Sequence, residues 1–267
     1  MNLENIIHST AIIEGNVRLG SGNVIGPYCI FIGNINIGDG NIFSNNVVLK
    51  NNVSIGNGNE FFEFSSIGNK SQDKECTAKL SEIAVKIGDK NIIREYVTIH
   101  AGTEKDKKIT IIGNKNLFMA NAHIAHDCLI GHENILANSV ALGGHVVIGN
   151  KIIIGGNSAV RQKVYIGDYA MIGGLTGVKK NVIPCSLVHI SSEESFSVNI
   201  RGLKRNMTKD RIDEILLAFK KVLDRKSSNY LEKTTSVKSF QFKNQENQNM
   251  FSSFFDLIKH SSLGVYV

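Results

Sequence analysis

Bulky apolar residues recur at every sixth position along most of the chain. The series starts at Ile7 and ends at Val178, and it fills 26 positions apart from two interruptions. An amphipathic helix repeats about every 3.6 residues and a half-buried strand every two, so neither fits this period. A period of six fits a solenoid whose flat faces are each six residues long, with these residues pointing inward.

Three six-residue segments would close one triangular coil, which predicts a prism of nearly nine coils. At the spacing of neighbouring strands, about 4.8 Å per coil, the prism would be roughly 40 Å long. Short parallel strands would stack coil on coil, so residues 18 apart would lie above one another. We expect the two interruptions, at about 69–86 and 100–111, to be loops that leave the prism.

The six-residue period stops after Pro184. Residues 208–226 place apolar side chains on one helical face, and residues 246–260 do so with phenylalanines. We therefore predict an all-β solenoid over 1–184 and a C-terminal α-helical subdomain over 185–267. The apolar helix faces would mainly pack on each other and close the end of the solenoid.

The composition agrees with a solenoid. The chain has 25 glycines and 2 prolines, and it is rich in asparagine. We expect Gly, Asn and Asp at the corners, where φ turns positive, and few prolines because each rung needs its N–H. No apolar run approaches 18 residues and no basic segment opens the chain, which predicts a cytoplasmic protein without a membrane span.

The four cysteines are far apart in the sequence and form no C-x-x-C pair. They predict free thiols in a reducing compartment, with no disulfide framework, metal site or cofactor. A nucleophilic Cys128 is disfavoured, because the neighbouring carboxylate of Asp127 would raise the pKa of that thiol.

The net charge of +6 lies in the tail. Residues 201–267 carry 13 Lys and Arg against 7 Asp and Glu, whereas residues 1–200 carry 17 of each sign. A basic tail on a neutral body predicts a local patch for an acidic ligand or partner, and it argues against a chain that binds nucleic acid along its length.

The segment NAHIAHDC over 121–128 holds the densest group of reactive side chains. Ile124 would fill the interior, so His123 and His126 must point away from it. The 18-residue spacing then predicts one stack along an edge of the prism: His126, Gly144, His145 and Gln162.

His126 is the candidate general base, because a neutral imidazole suits that role near neutral pH. Asp127 could hold its tautomer, and the Gly144 N–H could receive an oxyanion. From these residues alone, a catalytic and a merely structural interpretation both stay open. A three-histidine zinc site is disfavoured, because such sites in some solenoids include an H-x4-H pair that this chain lacks.

The repeat resembles the hexapeptide-repeat acyltransferases, which implies a left-handed parallel β-helix. Four segments are similar to one family, the UDP-N-acetylglucosamine O-acyltransferases: NAHIAHDC (121–128), IREYVTIHAGT (93–103), LGGH (142–145) and NIRGLKR (199–205). The resemblance covers essentially the whole chain. It implies an enzyme that opens lipid A biosynthesis, a homotrimer with sites between subunits, and an acidic acyl carrier protein as partner.

The resemblance also implies roles for single residues. His126 would take the proton from the sugar 3-hydroxyl, which attacks a 3-hydroxyacyl thioester on acyl carrier protein. Asp127 would orient His126, and the Gly144 N–H would receive the oxyanion. The remaining positions are Gln72 and Asp73 at the sugar, His123 and His145 at the sugar and acyl donor, Gln162, Asn199 and Arg205 at the nucleotide, Gly174 limiting acyl length, and His100 beside the acyl groove.

Without the family, several of these residues have simpler interpretations. Gly174 would be an ordinary corner glycine, and Gln72 and Asp73 would be polar loop residues. Arg205 would be a solvated charge of the basic tail, and His100 a structural histidine.

Four positions depart from the family pattern. Glu75 stands where the family has a sugar-binding Lys, Arg161 replaces a His, Arg201 a Glu and Asn206 an Arg. All lie on the sugar or nucleotide side, whereas the His–Asp–Gly group is unchanged. The alternative is therefore a sister acyltransferase that acts on another UDP-sugar, including one with an amine at the acylated carbon. A non-catalytic ice-binding prism is disfavoured, because no ladder of Thr pairs appears.

Overall fold

The computed structural model describes residues 4–189, 196–223 and 238–266. The last three residues of the predicted helix over 208–226 lie outside these ranges.

Short strands account for most of the described chain. They are β1 (Ile6–Ile7), β2 (Ile12–Leu19), β3 (Val24–Ile25), β4 (Ile30–Ile37), β5 (Ile42–Phe43), β6 (Val48–Ile55), β7 (Glu60–Phe61), β8 (Ser66–Asn69), β9 (Ala84–Ile87), β10 (Ile92–Ile93), β11 (Thr98–His100), β12 (Ile109–Ile112), β13 (Leu117–Phe118), β14 (His123–Ile124), β15 (Leu129–Ile130), β16 (Ile135–Leu136), β17 (Ala141–Leu142), β18 (Val147–Ile148), β19 (Ile153–Ile154), β20 (Ala159–Val160), β21 (Tyr165–Ile166), β22 (Met171–Ile172), β23 (Gly177–Val178), β24 (Asn181–Val182), β25 (Ser186–Val188), β26 (Phe196–Val198) and β27 (Val265–Tyr266).

The described helices belong to the C-terminal region, apart from one short 3-10 helix. That helix covers Leu80–Glu82. The α-helices are α1 (Ile200–Asn206), α2 (Lys209–Leu223) and α3 (Gln245–Ile258). None of the helices in the described ranges is long and apolar enough to cross a bilayer.

The strands stack in parallel on three faces of a prism, which confirms the predicted solenoid with its C-terminal helices. The first face runs β1-β3-β5-β7-β10-β13-β16-β19-β22-β25. The eight-residue strands β2, β4 and β6 each turn a corner and join the other two faces in one sheet. Paired residues are 18 apart along regular coils, as in Ile135 and Ile153.

Two excursions interrupt the coils, and the inward residues stay paired across them, although the register shifts by one residue where His100 pairs with Asn69. We call residues 70–83 the first loop and residues 101–108 the second loop. Ile92 pairs with Glu60 on one side and with Leu117 on the other, so the spacing lengthens while the inward residues stay aligned. Residues of both loops, including Gln72 and Lys105, lie beside the candidate histidines.

The predicted inward residues form the core, with aromatic rings on successive coils. Phe43 and Phe61 stack with centroids 4.7 Å apart. Ile7 is 45% exposed, because it belongs to the first coil and has a neighbour on one side only. At the other end, α1 to α3 pack a second apolar cluster on Ile183 and Cys185, and β27 pairs with β24.

The expected corner role of glycine is wrong at most of the glycines that follow an inward residue. Positive φ instead falls three residues after the inward residue, where Asp127 has φ 58°, His145 60° and Lys163 63°. Glycine occupies these positions because the next coil lies too close for a side chain: a Cβ on Gly131 would stand 2.3 Å from the carbonyl oxygen of Gly149. Stacking distance, more than turn geometry, selects glycine there.

A buried asparagine ladder explains much of the asparagine content. The Asn59 Oδ1 accepts hydrogen bonds from the backbone N–H and the Nδ2 of Asn91, at 2.8 and 3.0 Å. The Nδ2 of Asn59 donates in turn to the Oδ1 of Asn41 at 2.9 Å. The ladder comprises Asn5, Asn23, Asn41, Asn59, Asn91, Asn116 and Asn134.

Asn59→Ala should lower the free energy of unfolding by about 2–4 kcal/mol, because it leaves buried donors of Asn91 without their acceptor. Urea denaturation followed by circular dichroism would measure the change. The matched control is Asn34→Ala, which removes an exposed side chain bonded to Asn16 at 2.9 Å. We expect the control to stay within about 0.5 kcal/mol of wild type. Equal losses in both variants would contradict a special role for the buried ladder.

Candidate active site

A groove of about 780 Å³ follows the corner of the solenoid beside both loops. Its walls come from the first and second loops, and its floor comes from β14, β17 and β20 and the corners after them. Eight of the twelve predicted site residues line it: Gln72, Asp73, His100, His123, His126, Gly144, His145 and Gln162.

The coil that contains β14 places His126 at the floor of the groove. Ile124 fills the interior, and Asp127 takes the positive-φ corner position, which turns its side chain back under His126. The Asp127 Oδ2 lies 2.9 Å from the His126 Nδ1. Thr103 of the second loop completes the support, donating to Asp127 from its N–H at 3.0 Å and from its hydroxyl at 2.6 Å.

Asp127 is an ionised acceptor beneath the imidazole. Burial alone would raise the pKa of this carboxyl, but the hydrogen bonds from His126 and Thr103 bring it below its ordinary value. An ionised carboxylate can only accept, so the proton of the neutral imidazole sits on Nδ1. The lone pair of the His126 Nε2 then faces the groove, as a general base requires.

Gly144 brings its backbone against the other side of the same ring. A Cβ on this residue would stand 2.4 Å from the His126 Cε1 and 2.5 Å from its Nε2. Within the described ranges, the Gly144 N–H has no hydrogen-bond acceptor, whereas the next amide, that of His145, donates to the His126 carbonyl oxygen at 3.0 Å. A base and a bare N–H donor therefore lie side by side.

Each of the other histidines of the groove packs its ring against a second histidine. The His100 and His123 rings meet edge to face at 4.9 Å, and the His123 Nδ1 lies 2.7 Å from the Thr98 hydroxyl. Burial lowers the pKa of His100 to about 4 and also lowers the pKa of His123, so both are neutral polar groups. His145 crosses the His126 ring at 5.0 Å.

The cluster has two further chemical interpretations. One ligand atom each from His126, Asp127 and His145 lies within 4.8 Å of the others, as a metal site would need. The Asp127 carboxylate, however, already accepts hydrogen bonds from Thr103 and lies 2.9 Å from the His126 Nδ1, which is the arrangement of a base and its orienting group. Burial raises the pKa of Cys128 to about 12, so its thiol is not a nucleophile at neutral pH.

The second loop does more at the site than the sequence indicated. Its consecutive residues 103–106 each bond to a different part of the site or of the first loop that walls it. Thr103 supports Asp127, and Glu104 accepts hydrogen bonds from the first loop. The remaining two contacts are Lys105 with Asp73 and Glu75, and Asp106 with His145. The six-residue period does not predict the contacts of a loop. The alternating charges of residues 104–107 are the one sequence feature that indicates ion pairs here.

Three predicted residues lie away from the groove of their own chain. Gly174 is an exposed corner residue of the coil beyond Gly156. Asn199 caps α1, where its Oδ1 accepts from the Gly202 N–H at 3.1 Å and its Nδ2 donates to the Tyr169 carbonyl at 2.9 Å. Arg205 is exposed in the last turn of the same helix.

Comparison of the sequence with known proteins finds related acyltransferases. No protein-family model matches the chain. An acyl–acyl-carrier-protein–UDP-N-acetylglucosamine O-acyltransferase of Janthinobacterium sp. (strain Marseille) is 55% identical over 123 residues, which are 46% of this chain and 46% of that protein. One of the same name from Tolumonas auensis is 48% identical over 71 residues, 27% and 26% of the two chains. Each match thus spans less than half of the curated relative.

Solved structures match over nearly the full length. LpxA from Acinetobacter baumannii is 35% identical with a TM-score of 0.88, covering 98% of this chain and 100% of that one. The UDP-N-acetylglucosamine O-acyltransferase of Moraxella catarrhalis is 36% identical with a TM-score of 0.86, covering 98% and 99%. With this fold, this identity and the His126–Asp127–Gly144 arrangement, the chain belongs to the UDP-N-acetylglucosamine O-acyltransferase family.

Proposed function

We propose that this chain transfers a 3-hydroxyacyl group from acyl carrier protein to the 3-hydroxyl of UDP-N-acetylglucosamine, the first step of lipid A biosynthesis. The observation that carries the proposal is the buried Asp127–His126 pair, which presents a basic nitrogen to the groove beside the bare Gly144 amide. The names of the related proteins supply the two substrates.

The reaction follows from these three groups. The His126 Nε2 removes the proton of the sugar hydroxyl as its oxygen bonds to the thioester carbonyl carbon. The carbonyl oxygen gains the negative charge and accepts a hydrogen bond from the Gly144 N–H. Collapse of this tetrahedral intermediate breaks the C–S bond, and the departing carrier thiolate takes the proton back from His126. The Asp127 carboxylate stabilises the imidazolium between the two transfers.

The walls of the groove suit the two substrates. Gln72 and Asp73 line one wall and would bind sugar hydroxyls, while His123 and His145 flank the base on the floor. Both flanking histidines have fixed partners, Thr98 and Asp106, so they are oriented before a substrate arrives. Gln162 extends the same edge by one coil toward the nucleotide.

A homotrimer would bring the remaining residues to the site. Arg205 is exposed away from its own groove, so it would reach the nucleotide in the groove of a neighbouring subunit. Asn199 is buried and bonded to Gly202 and Tyr169, so it would act by holding the helix that carries Arg205. Outward apolar side chains on the first face, including Ile42 and Ile92, are exposed in the single chain and would pack against such a neighbour. The position of Gly174, exposed at its corner, fits an acyl chain that runs along the same interface.

One observation favours a second acceptor. Glu75 adds a carboxylate to the groove wall, 85% exposed and paired with Lys105, and this acidic wall would suit a UDP-sugar that carries an amine at the acylated carbon. Incubation with a 3-hydroxyacyl carrier protein and either sugar separates the two: an ester product is cleaved by mild alkali, whereas an amide survives. Turnover of UDP-N-acetylglucosamine to an alkali-labile product supports the O-acyltransferase. Turnover of the amino sugar alone overturns it in favour of the alternative.

Raising the salt concentration should raise the KM for the carrier-bound donor. The tail beyond residue 200 carries the whole net charge of +6, and an acidic carrier protein would be attracted to it. The Debye length falls from about 10 Å at 0.1 M to about 3 Å at 1 M, so we expect KM to rise several-fold over that range. The control donor is the same acyl thioester on free pantetheine, whose KM should not rise. Identical salt responses of both donors would show that the tail charge is only a solvated surface.

A further inference from the structure

Lys105 of the second loop joins two carboxylates of the first loop at the wall of the groove. Its Nζ lies 2.8 Å from the Asp73 Oδ2 and 3.0 Å from the Glu75 Oε2. All three residues line the groove that contains His126. The contact therefore sets the charge and shape of the wall that faces the base.

The loops do not need Lys105 to hold them together. Glu104 accepts hydrogen bonds from the Thr77 N–H at 2.8 Å, the Thr77 hydroxyl at 3.1 Å and the Ala78 N–H at 3.0 Å. The backbone N–H of Thr77 is the main cause that lowers the pKa of Glu104 to about 2, so this clamp is fully ionised at neutral pH. Lys108 adds a second tie, to Glu82 at 2.9 Å.

Stability does not explain the Lys105 contacts either. The side chain of Lys105 is 39% exposed and that of Glu75 is 85% exposed. Ion pairs this exposed contribute little to folding, because water screens them and two long side chains must be ordered. Lys105, Asp73 and Glu75 all line the groove, so a role in ligand binding accounts for their contacts better than a role in folding.

Lys105 fixes the direction of Asp73. The Asp73 Oδ1 accepts from the Glu75 N–H at 3.0 Å and the Oδ2 accepts from Lys105, so both oxygens are held while their other lone pairs stay available. Lys105 is the main cause that lowers the pKa of Asp73. An ammonium has three N–H donors, and two of those of Lys105 are used within the described ranges. One donor therefore remains for a ligand in the groove.

We propose that Lys105 determines acceptor specificity, donating its third N–H to an oxygen of the acceptor sugar and holding Asp73 toward a neighbouring hydroxyl. The inference rests on the proposed function in one respect, that the acceptor is a UDP-sugar. The pyranose lies against this wall, with the hydroxyl to be acylated at His126 and the next oxygens at Asp73 and Lys105.

Calorimetric binding of UDP-N-acetylglucosamine and its 3-amino analogue to the full chain tests the proposal without requiring turnover. Lys105→Met keeps the length and removes the donors, and we expect about tenfold weaker binding of whichever sugar the wild type binds. Lys105→Arg should restore most of the affinity. The matched control is Lys107→Met, an exposed lysine of the same loop that does not line the groove, and it should bind like wild type.

Two further measurements separate recognition from a structural role. Lys105→Met should leave the thermal midpoint and the KM for the carrier-bound donor unchanged. Exchanging the charges in Lys105→Glu with Glu75→Lys should recover binding that Lys105→Glu alone loses, because a lysine again bridges two carboxylates. Equal affinity of Lys105→Met and wild type overturns this inference and leaves the proposed function standing. Absence of wild-type turnover overturns the proposed function, while the binding contrast still decides the role of Lys105.

Discussion

His126→Ala is expected to lower kcat by about 10²–10⁴-fold, because the variant has no group to take the proton of the attacking hydroxyl. The ring it removes is oriented by a buried carboxylate 2.9 Å away and faces the groove, so no other side chain can replace it in the same geometry. Steady-state turnover with the carrier-bound donor would measure the loss. Binding of the UDP-sugar should change much less, because the transferred proton matters most in the transition state.

The matched control for this variant is His132→Ala. His132 is an exposed histidine at another corner of the solenoid, where its Nδ1 accepts from the Asn114 N–H at 2.9 Å. This variant loses one coil-to-coil hydrogen bond and no part of the groove, so activity should stay within about twofold of wild type. If His126→Ala turned over at a rate similar to His132→Ala, general-base catalysis by His126 would be wrong.

Gly144→Ala should abolish most activity without unfolding the solenoid. The new methyl group would stand 2.4 Å from the His126 Cε1, a distance at which the ring or the backbone must move. The ring cannot simply retreat, because Asp127 and Thr103 hold it from behind. A displacement of about 1 Å at reacting groups can cost about a hundredfold, and we expect at least that loss in kcat. The φ of Gly144 is not in the left-handed region, so alanine is compatible with its backbone.

Gly156→Ala provides the comparison for this steric effect. Gly156 occupies the equivalent position of another six-residue segment, two residues after its inward residue and at a different corner, and a Cβ there meets only the Asn138 carbonyl oxygen at 3.3 Å. We expect near wild-type activity and a small change in the thermal midpoint. If both glycine variants lose the same activity, a clash with the His126 ring is not the cause. The loss would then come from replacing any glycine at this position of a six-residue segment.

The stack of His126, Gly144 and Gln162 was predictable because residues one coil apart in the sequence lie above one another in a solenoid. Each coil advances the chain by one strand spacing, so the 18-residue step from His126 to Gly144 places them in contact on successive coils. The same step places Gln162 one coil further along the groove. No long-range folding information was needed for these residues.

The walls of the groove were not predictable in this way. Lys105 meets Asp73 and Glu75 only because Glu104 fixes one loop on the other, and no periodic rule applies to loop conformations. Glycine and asparagine occupy some positive-φ corners, such as Gly40 and Asn121, but many of them have another role for a related reason. A corner accepts many residue types at modest cost, whereas stacked coils leave no room for a Cβ at glycines such as Gly131 and require buried amides to be paired.

The site residues implied by the family resemblance fall into two groups, those on the stacked coils and those in other parts of the chain. Residues on the stacked coils, such as His123 and His145, line the groove, and their contact with the sugar and the acyl donor stays a prediction. Asn199 caps α1 and Arg205 belongs to it, and a contact of this helix with a nucleotide stays a prediction that depends on how subunits assemble. Gly174 likewise awaits a measurement of acyl-chain preference.

After each loop the chain returns to the prism with its inward residues aligned, so a change of loop length need not move the coils. Residues can be added to or removed from the first loop without changing which coil follows which, so the acceptor wall can be rebuilt while the base and its amide partner keep their places. The second loop has no such freedom between Thr103 and Asp106, where each of four consecutive residues has its own partners. Under the proposed function, we therefore expect exchange of the first loop between related chains to change the sugar preference while His126, Asp127 and Gly144 stay in place.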